Sequence, residues 1–300
     1  MLRKFAIPGA VAAALTALAA PAFAGWGGLN MTTGVTTLSG PIYGLHMLIY
    51  KVCVVIAIIV FGAMIYSLVK FRKSKGAVPD RSIVHSTKAE IIWTIIPVVI
   101  LVVMAVPAAR TLIKIEDSSN TQISIKVTGY QWKWQYEYLG EDVSFFSTLA
   151  RDSDAARQLG SGIDPNTVPN YLLSVDNPVV VPVGKKVRLL ITSADVIHSW
   201  WVPALAMKKD AIPGNINELW FQIQPDKPGV YRGQCVELCG RDHGFMPIVV
   251  EAKSEADYAA WLASKKPAPA ADAAAAPAAP AATAAAAKPA AAAKTVAAKK

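Results

Sequence analysis

Two stretches of this chain, Val52–Val69 and Ile91–Ala109, carry no charged residue and show no polar stripe. Each approaches the roughly 20 apolar residues that cross a bilayer as a helix. In lipid, a single segment can satisfy all its backbone N–H and C=O groups only as a helix. The early chain is therefore expected to form a two-helix hairpin, with spans over about residues 46–70 and 90–112. Pro97 and Pro107 fall inside the second stretch, where packing on neighbours makes them tolerable. Between the stretches, Lys70, Arg72, Lys73, Lys75, Arg81 and Lys88 stand against a single acid, Asp80. Such an excess of basic residues stays on the cytoplasmic side, so everything after the second span is expected outside. Met1–Ala24 agrees with that orientation. It has Arg3 and Lys4, then an apolar run, then Ala22-Phe-Ala24, the build of a secretory signal peptide.

The formal charge of +9 is unevenly spread. Residues 121–262 hold 13 Lys and Arg against 16 Asp and Glu, a net −3. Residues 263–300 hold six lysines and Asp272, a net +5. A mildly acidic outer domain disfavours nucleic acid and suits a basic protein partner. From about Lys265 onward the chain is Ala/Pro/Lys repetition without an aromatic residue. Such a segment buries no core and is expected to be a disordered tail, with scattered prolines opposing a continuous helix. The expected organisation is thus a signal peptide over 1–24, a membrane segment over 25–120, an outer domain over 121–264 and a tail over 265–300.

The outer domain reads as β. Tyr130, Trp132, Trp134, Tyr136 and Tyr138 alternate with Gln131, Lys133, Gln135 and Glu137, a period of two that describes one strand with an aromatic face. Further strand-like runs are Val179–Val181, Lys186–Thr192, Leu219–Gln224, Val230–Gln234 and Ile248–Ala252, set apart by turns such as Lys227-Pro-Gly229. Short strands at this spacing indicate a sandwich or small barrel. Residues 147–160 read as a helical or irregular insertion, and Ser254–Ala263 as a closing helix.

The chemistry concentrates in Cys235-Val-Glu237-Leu-Cys239-Gly-Arg-Asp-His243-Gly-Phe-Met246. His198 lies upstream in Asp195-Val-Ile-His198-Ser-Trp200. Thiol, imidazole and thioether donors favour copper over calcium or magnesium. A mononuclear blue-copper centre needs one cysteine, so the second suggests thiolates bridging two metals. Two other readings use part of the set: a Cys235–Cys239 disulfide, and a Cys2His2 zinc site with His198 and His243. Neither uses Met246 or Glu237. Ligands mounted on loops at one end of a sheet scaffold give a cupredoxin-like layout. Cys53, inside the first span, reads as a small apolar packing residue.

Four blocks together resemble subunit II of the haem–copper cytochrome c oxidases. They are His85-Ser-Thr-Lys-Ala-Glu90-Ile-Ile-Trp93-Thr-Ile-Ile-Pro97, Gly129-Tyr-Gln131-Trp132-Lys-Trp134-Gln-Tyr136-Glu137-Tyr138, Asp195–Trp200 and the Cys235–Met246 loop. The resemblance spans about Ile42–Leu262. It implies a dinuclear CuA centre, with Cys235 and Cys239 bridging two coppers and His198 and His243 each binding one. Met246 and the Glu237 backbone carbonyl would be weak ligands, and the Glu237 carboxylate would reach a magnesium ion shared with subunit I. Hard oxygen for magnesium and soft sulfur for copper is consistent donor chemistry.

The resemblance further implies that Trp132 receives electrons from cytochrome c, and that Glu137, Asp176 and Asp195 help dock it. Trp134 and Tyr136 read as core or as part of an interfacial aromatic belt. Glu90 would stand at the mouth of a proton channel feeding subunit I. A carboxylate at a helix N-terminus is also favoured by the helix dipole. His46 and His85 read as surface or interface histidines. The chain would sit in a bacterial inner membrane among lipid and other oxidase subunits, its folded domain periplasmic. It would pass electrons to the haem-bearing subunit I, where oxygen becomes water with proton pumping. With three cysteines and no Cys-x-x-Cys-His, no haem is expected in this chain. A quinol-oxidase subunit would lack the copper ligands, a copper carrier would use a more open site, and a nitrous-oxide reductase would lack the membrane hairpin.

Overall fold

The computed structural model describes residues 30–78, 82 and 85–266. The signal-peptide expectation and nearly all of the tail expectation lie outside the described residues. Helix α1 spans Ser39–Lys70 and α2 spans Thr87–Glu116. Helix α1 starts ahead of the expected first span and ends with it at Lys70, and α2 extends beyond the second at both ends, because hydropathy marks only the most apolar part of a helix. Reciprocal bonds start α1: Thr36 N donates to Ser39 Oγ at 3.1 Å, and Ser39 N to Thr36 Oγ1 at 3.2 Å. For α2, Ser86 is the N-cap and its hydroxyl accepts from Ala89 N, while Glu90 places a negative charge in the first turn. The apolar windows of both helices bury none of their residues within the chain, so both present apolar surface outward.

Beyond the hairpin come β1 (Ile123–Tyr130), β2 (Lys133–Tyr138), β3 (Val143–Ser147), α3 (Arg151–Ala156), β4 (Val179–Pro182) and β5 (Val187–Ser193). They are followed by β6 (His198–Val202), β7 (Met207–Ala211), β8 (Asn217–Phe221), β9 (Gly229–Cys235), β10 (Pro247–Lys253) and α4 (Glu255–Lys265). Two five-stranded sheets form, ordered β3-β2-β1-β5-β8 and β4-β10-β9-β6-β7. Each contains one parallel pair, β1 with β5 and β4 with β10. The sheets enclose Trp134, Trp200, Tyr136, Phe221, Ile125 and Ile191, all essentially inaccessible. This is the expected cupredoxin-like sandwich.

The expected aromatic strand is divided. Trp134, Tyr136 and Tyr138 are buried on β2 while Lys133, Gln135 and Glu137 are half-buried on its other face, so the period of two holds there. Tyr130, however, ends β1 and pairs with Lys133 across a hairpin, which leaves Gln131 and Trp132 in the turn. Their polar groups are satisfied by the Asp195 side chain and the Cys239 carbonyl rather than by a sheet ladder. Strands β1, β3, β6 and β7 were not separately marked by the sequence pattern. The insertion does hold a helix, α3, and Ser254 caps α4 through Asp257 N.

The hairpin is stitched to the sandwich at both ends. Val35 N donates to Ala204 O at 2.8 Å, Thr37 N to Gln222 O at 2.9 Å, and Gln224 N to Val35 O at 3.0 Å. After α2, Lys186 Nζ donates to the Asp117 and Ser119 carbonyls, each at 2.7 Å.

Candidate metal centre

His198 opens β6 and Cys235 closes β9, and these strands are antiparallel neighbours with Trp200 opposite Cys235. Sheet pairing therefore brings the distant histidine to the start of the cysteine loop. The loop returns through a single 3-10 turn, His243–Phe245, to Met246 at the foot of β10. Its base is closed by Cys235 N donating to Met246 O at 3.4 Å.

Six donors converge. Cys235 Sγ lies 3.9 Å from Cys239 Sγ, 4.0 Å from His198 Nδ1 and 3.4 Å from the Glu237 carbonyl oxygen. Cys239 Sγ lies 3.5 Å from His243 Nδ1 and 3.6 Å from Met246 Sδ. The ligand atoms of His198, Cys235 and Cys239 all fall within 4.8 Å of one another. His198, Cys235, Cys239 and Met246 are buried, His243 is half-buried, and the Glu237 side chain is exposed. All three cysteines are free, and a thiol pair at 3.9 Å is far from the roughly 2.05 Å of a disulfide. The disulfide reading is therefore set aside.

Burial works to raise the Cys235 pKa, but hydrogen bonds from His198 and from the Ser199 and Glu237 backbone bring it below the usual thiol value. Burial and the adjacent Cys235 charge push Cys239 upward. Burial opposes charge on His198 as well, yet its bonds to Cys235 and Asp195 raise its pKa overall. A metal would take the place of these shared protons, because the ligating forms are thiolate and neutral imidazole.

Around the donors lies a supporting layer that is only partly legible in the sequence. Asp195 Oδ1 sits 2.9 Å from His198 Nε2, and Asp195 Oδ2 accepts from Gln131 N at 2.7 Å. Gln131 Nε2 and Trp132 Nε1 both donate to the Cys239 carbonyl, at 2.9 and 3.2 Å. The turn that divides the aromatic run is thus folded onto the metal loop. Trp134 meets the His198 ring edge-on, centroids 5.9 Å apart, and its Nε1 donates to Met246 O at 3.3 Å. Trp134 is core, as its alternation indicated, and it also walls the site. The three-residue Asp195–His198 spacing was the available signal for their pairing.

The other singled-out residues are placed elsewhere. Glu137 pairs with Lys126 at 3.2 Å across β1 and β2. Asp176 is exposed and accepts from Thr148 N and Thr148 Oγ1 at 2.7 and 2.9 Å, tying the insertion to the end of β3. Glu90 lies 3.3 Å from His85 Nδ1 at the start of α2, remote in sequence and fold from the donor cluster.

Residues 123–253 match the periplasmic domain of cytochrome c oxidase subunit II, and residues 24–110 match its transmembrane domain. The probable cytochrome c oxidase subunit 2 of Rickettsia bellii is 42% identical over 221 residues, covering 73% of this chain and 77% of that protein. Cytochrome c oxidase subunit 2 of Cereibacter sphaeroides is 36% identical over 244 residues, 79% of this chain and 80% of the relative. The solved periplasmic domain of subunit II of cytochrome oxidase from Bradyrhizobium japonicum is 40% identical over 49% of this chain and 96% of that one, with a TM-score of 0.41. This two-span, sandwich-bearing chain belongs to the copper-binding family of cytochrome c oxidase subunit II, a component of a haem–copper oxidase complex.

Proposed function

We propose that this chain is the electron-input subunit of its oxidase, holding a dinuclear copper centre of the CuA type. The carrying observation is the convergence of six donors on two neighbouring thiols. Four donors complete a tetrahedral zinc site, so Met246 Sδ and the Glu237 carbonyl would be surplus around one zinc ion. Around two soft ions the whole set has a use. Cys235 and Cys239 would bridge, His198 and His243 would bind one ion each, and Met246 and Glu237 O would sit as weak ligands. Bound there, such a pair supplies reversible one-electron transfer.

The protein's own contribution is rigidity and exclusion of water. His198 is fixed from its far nitrogen by Asp195, Met246 is clasped by Trp134 through its carbonyl, and the site is roofed by the half-buried Trp132. A cage that holds its ligands in place suits electron transfer, since little need move between redox states. Trp132 reaches the surface while its indole bonds the backbone of Cys239, which supports its assignment as the residue receiving electrons from cytochrome c. The acidic domain surface, including Glu137, Asp176 and Asp195, would steer that basic partner.

The exposed Glu237 carboxylate would serve a magnesium ion at the boundary with subunit I. Glu90 would stand at a proton-channel mouth on the cytoplasmic side. The basic loop would be cytoplasmic and the sandwich periplasmic in a bacterial inner membrane, with lipid around the hairpin. Residues 1–24 would be a cleaved signal peptide and 265–300 a tail beyond the folded domain. Onward transfer would be to haems in subunit I, where oxygen is reduced to water with proton pumping.

Metal analysis of the full-length chain tests the reading. Copper at two ions per chain, lost together when either Cys235 or Cys239 becomes serine, is expected. One zinc ion per chain would overturn it.

A further inference from the structure

The two imidazoles are supported differently. His198 is fully buried and bonded on its far nitrogen by Asp195. His243 is half-buried on a one-turn helix, and within the described residues its ring bonds only to Cys239 Sγ. Something else must hold that turn if the cage is to be rigid.

The insertion between β3 and β4 lies against it. Its ends are pinned by the Leu149–Val175 bridge and by Ala150 N donating to Ser174 O at 3.0 Å. Inside, the buried Ser153 hydroxyl accepts from Leu172 N at 3.2 Å. Arg157 caps α3 from this platform, oriented by Asp154 Oδ1 at 2.7 Å from its Nε. Its guanidinium then reaches two residues of the metal loop. Nη1 lies 3.6 Å from Asp242 Oδ1, and Cζ stands 4.2 Å from the centroid of the Phe245 ring. Asp242 and Phe245 bracket His243, and Phe245 N donates to Asp242 O at 2.9 Å. Asp242 also accepts from Arg241, whose guanidinium lies 5.7 Å from the Trp132 ring.

We infer that Arg157, contributed by an insertion outside both sheets, is a positioning residue for the His243 turn of the metal centre. The planar guanidinium suits this double task, because it can pair with a carboxylate and stack on an aromatic face at once. Lysine reproduces the charge but not the flat stack. The inference rests on the two-metal reading and adds to it a reason why His243 keeps its place.

The test uses the full-length chain, copper-loaded in detergent, in wild-type, Arg157→Ala, Arg157→Lys and Phe245→Leu forms. Copper release to an excess of chelator is followed with the electron paramagnetic resonance spectrum. Support for an orienting partner of a metal ligand is typically worth about 10- to 100-fold in metal affinity. Arg157→Ala is expected to release copper about tenfold faster with altered hyperfine splitting. Phe245→Leu should move the same way, and Arg157→Lys should fall between wild type and alanine. Wild-type release and an unchanged spectrum in both Arg157→Ala and Phe245→Leu would overturn the inference while leaving the two-metal reading standing. A wild-type chain showing a single metal ion would overturn both together.

Discussion

Asp195 Oδ1 lies 2.9 Å from His198 Nε2, on the edge of the imidazole opposite the one that faces the thiols. The other carboxylate oxygen accepts from Gln131 N. One side chain therefore fixes both a metal donor and the turn that carries Trp132. Carboxylates behind metal-binding histidines set the ring's tautomer and orientation and raise its basicity. The resemblance implies a docking role for Asp195, and its geometry gives it a second, inward-facing task.

Asp195→Ala should consequently lower copper affinity by about tenfold, measured by competition with a chelator of known affinity. A docking role alone would instead alter the salt dependence of the reaction with cytochrome c and leave copper affinity at its wild-type value.

Gly129→Ala tests how closely the scaffold approaches the site. A Cβ at Gly129 would stand 2.8 Å from His198 Cδ2 and 3.2 Å from Trp134 Cζ3, so the imidazole or the strand must shift. Overpacking of this kind typically costs about 1–3 kcal/mol. The variant should unfold at lower temperature, and its copper spectrum should differ from wild type. An unchanged spectrum would show that His198 has room the structure does not give it.

Trp132→Phe removes the indole N–H that donates to the Cys239 carbonyl, and shrinks the ring at the surface. In the assembled oxidase, stopped-flow oxidation of reduced cytochrome c should slow by about tenfold, a barrier change of about 1.4 kcal/mol. The copper spectrum should stay intact, because Gln131 Nε2 still donates to the Cys239 carbonyl and keeps the loop in place. Wild-type kinetics would remove the assignment of Trp132 as the residue receiving electrons.

Tyr138 anchors the sandwich at the end of β2 and bonds none of the metal donors. Its buried hydroxyl donates to Val180 O at 2.7 Å and accepts from Val180 N at 2.9 Å. Burial raises its pKa well above the usual phenol value, and the hydrogen bond it accepts from Val180 N only partly offsets that, so the neutral form is the one that fits. Tyr138→Phe leaves both Val180 groups without that partner and should cost about 1–3 kcal/mol in denaturant unfolding of the domain. Copper affinity should not change. A variant as stable as wild type would mean that water or a shifted strand replaces the hydroxyl.

The hairpin, the sandwich and the donor set were legible because each rests on a local pattern. Charge-free runs mark Val52–Val69 and Ile91–Ala109, alternation marks Trp134, Tyr136 and Tyr138, and the twelve-residue loop collects its ligands by spacing. The division at Gln131–Trp132 was hidden, because alternation continues through the turn even though Asp195 and Cys239 supply the hydrogen bonds. Strand β7, Met207–Ala211, carries Lys208, Lys209 and Asp210 and has no apolar alternation to reveal it. Its place is set by pairing with β6. Arg157 was equally silent, since a lone arginine in an insertion acquires a role only when the fold lays it against Asp242 and Phe245.

In the proposed centre Cys235 and Cys239 hold two coppers between them. Electron paramagnetic resonance of the full-length, copper-loaded chain in detergent addresses it most directly. Hyperfine splitting from two equivalent copper nuclei sharing one unpaired electron is expected. A spectrum from one isolated copper nucleus, or a chain that retains only zinc, would contradict it.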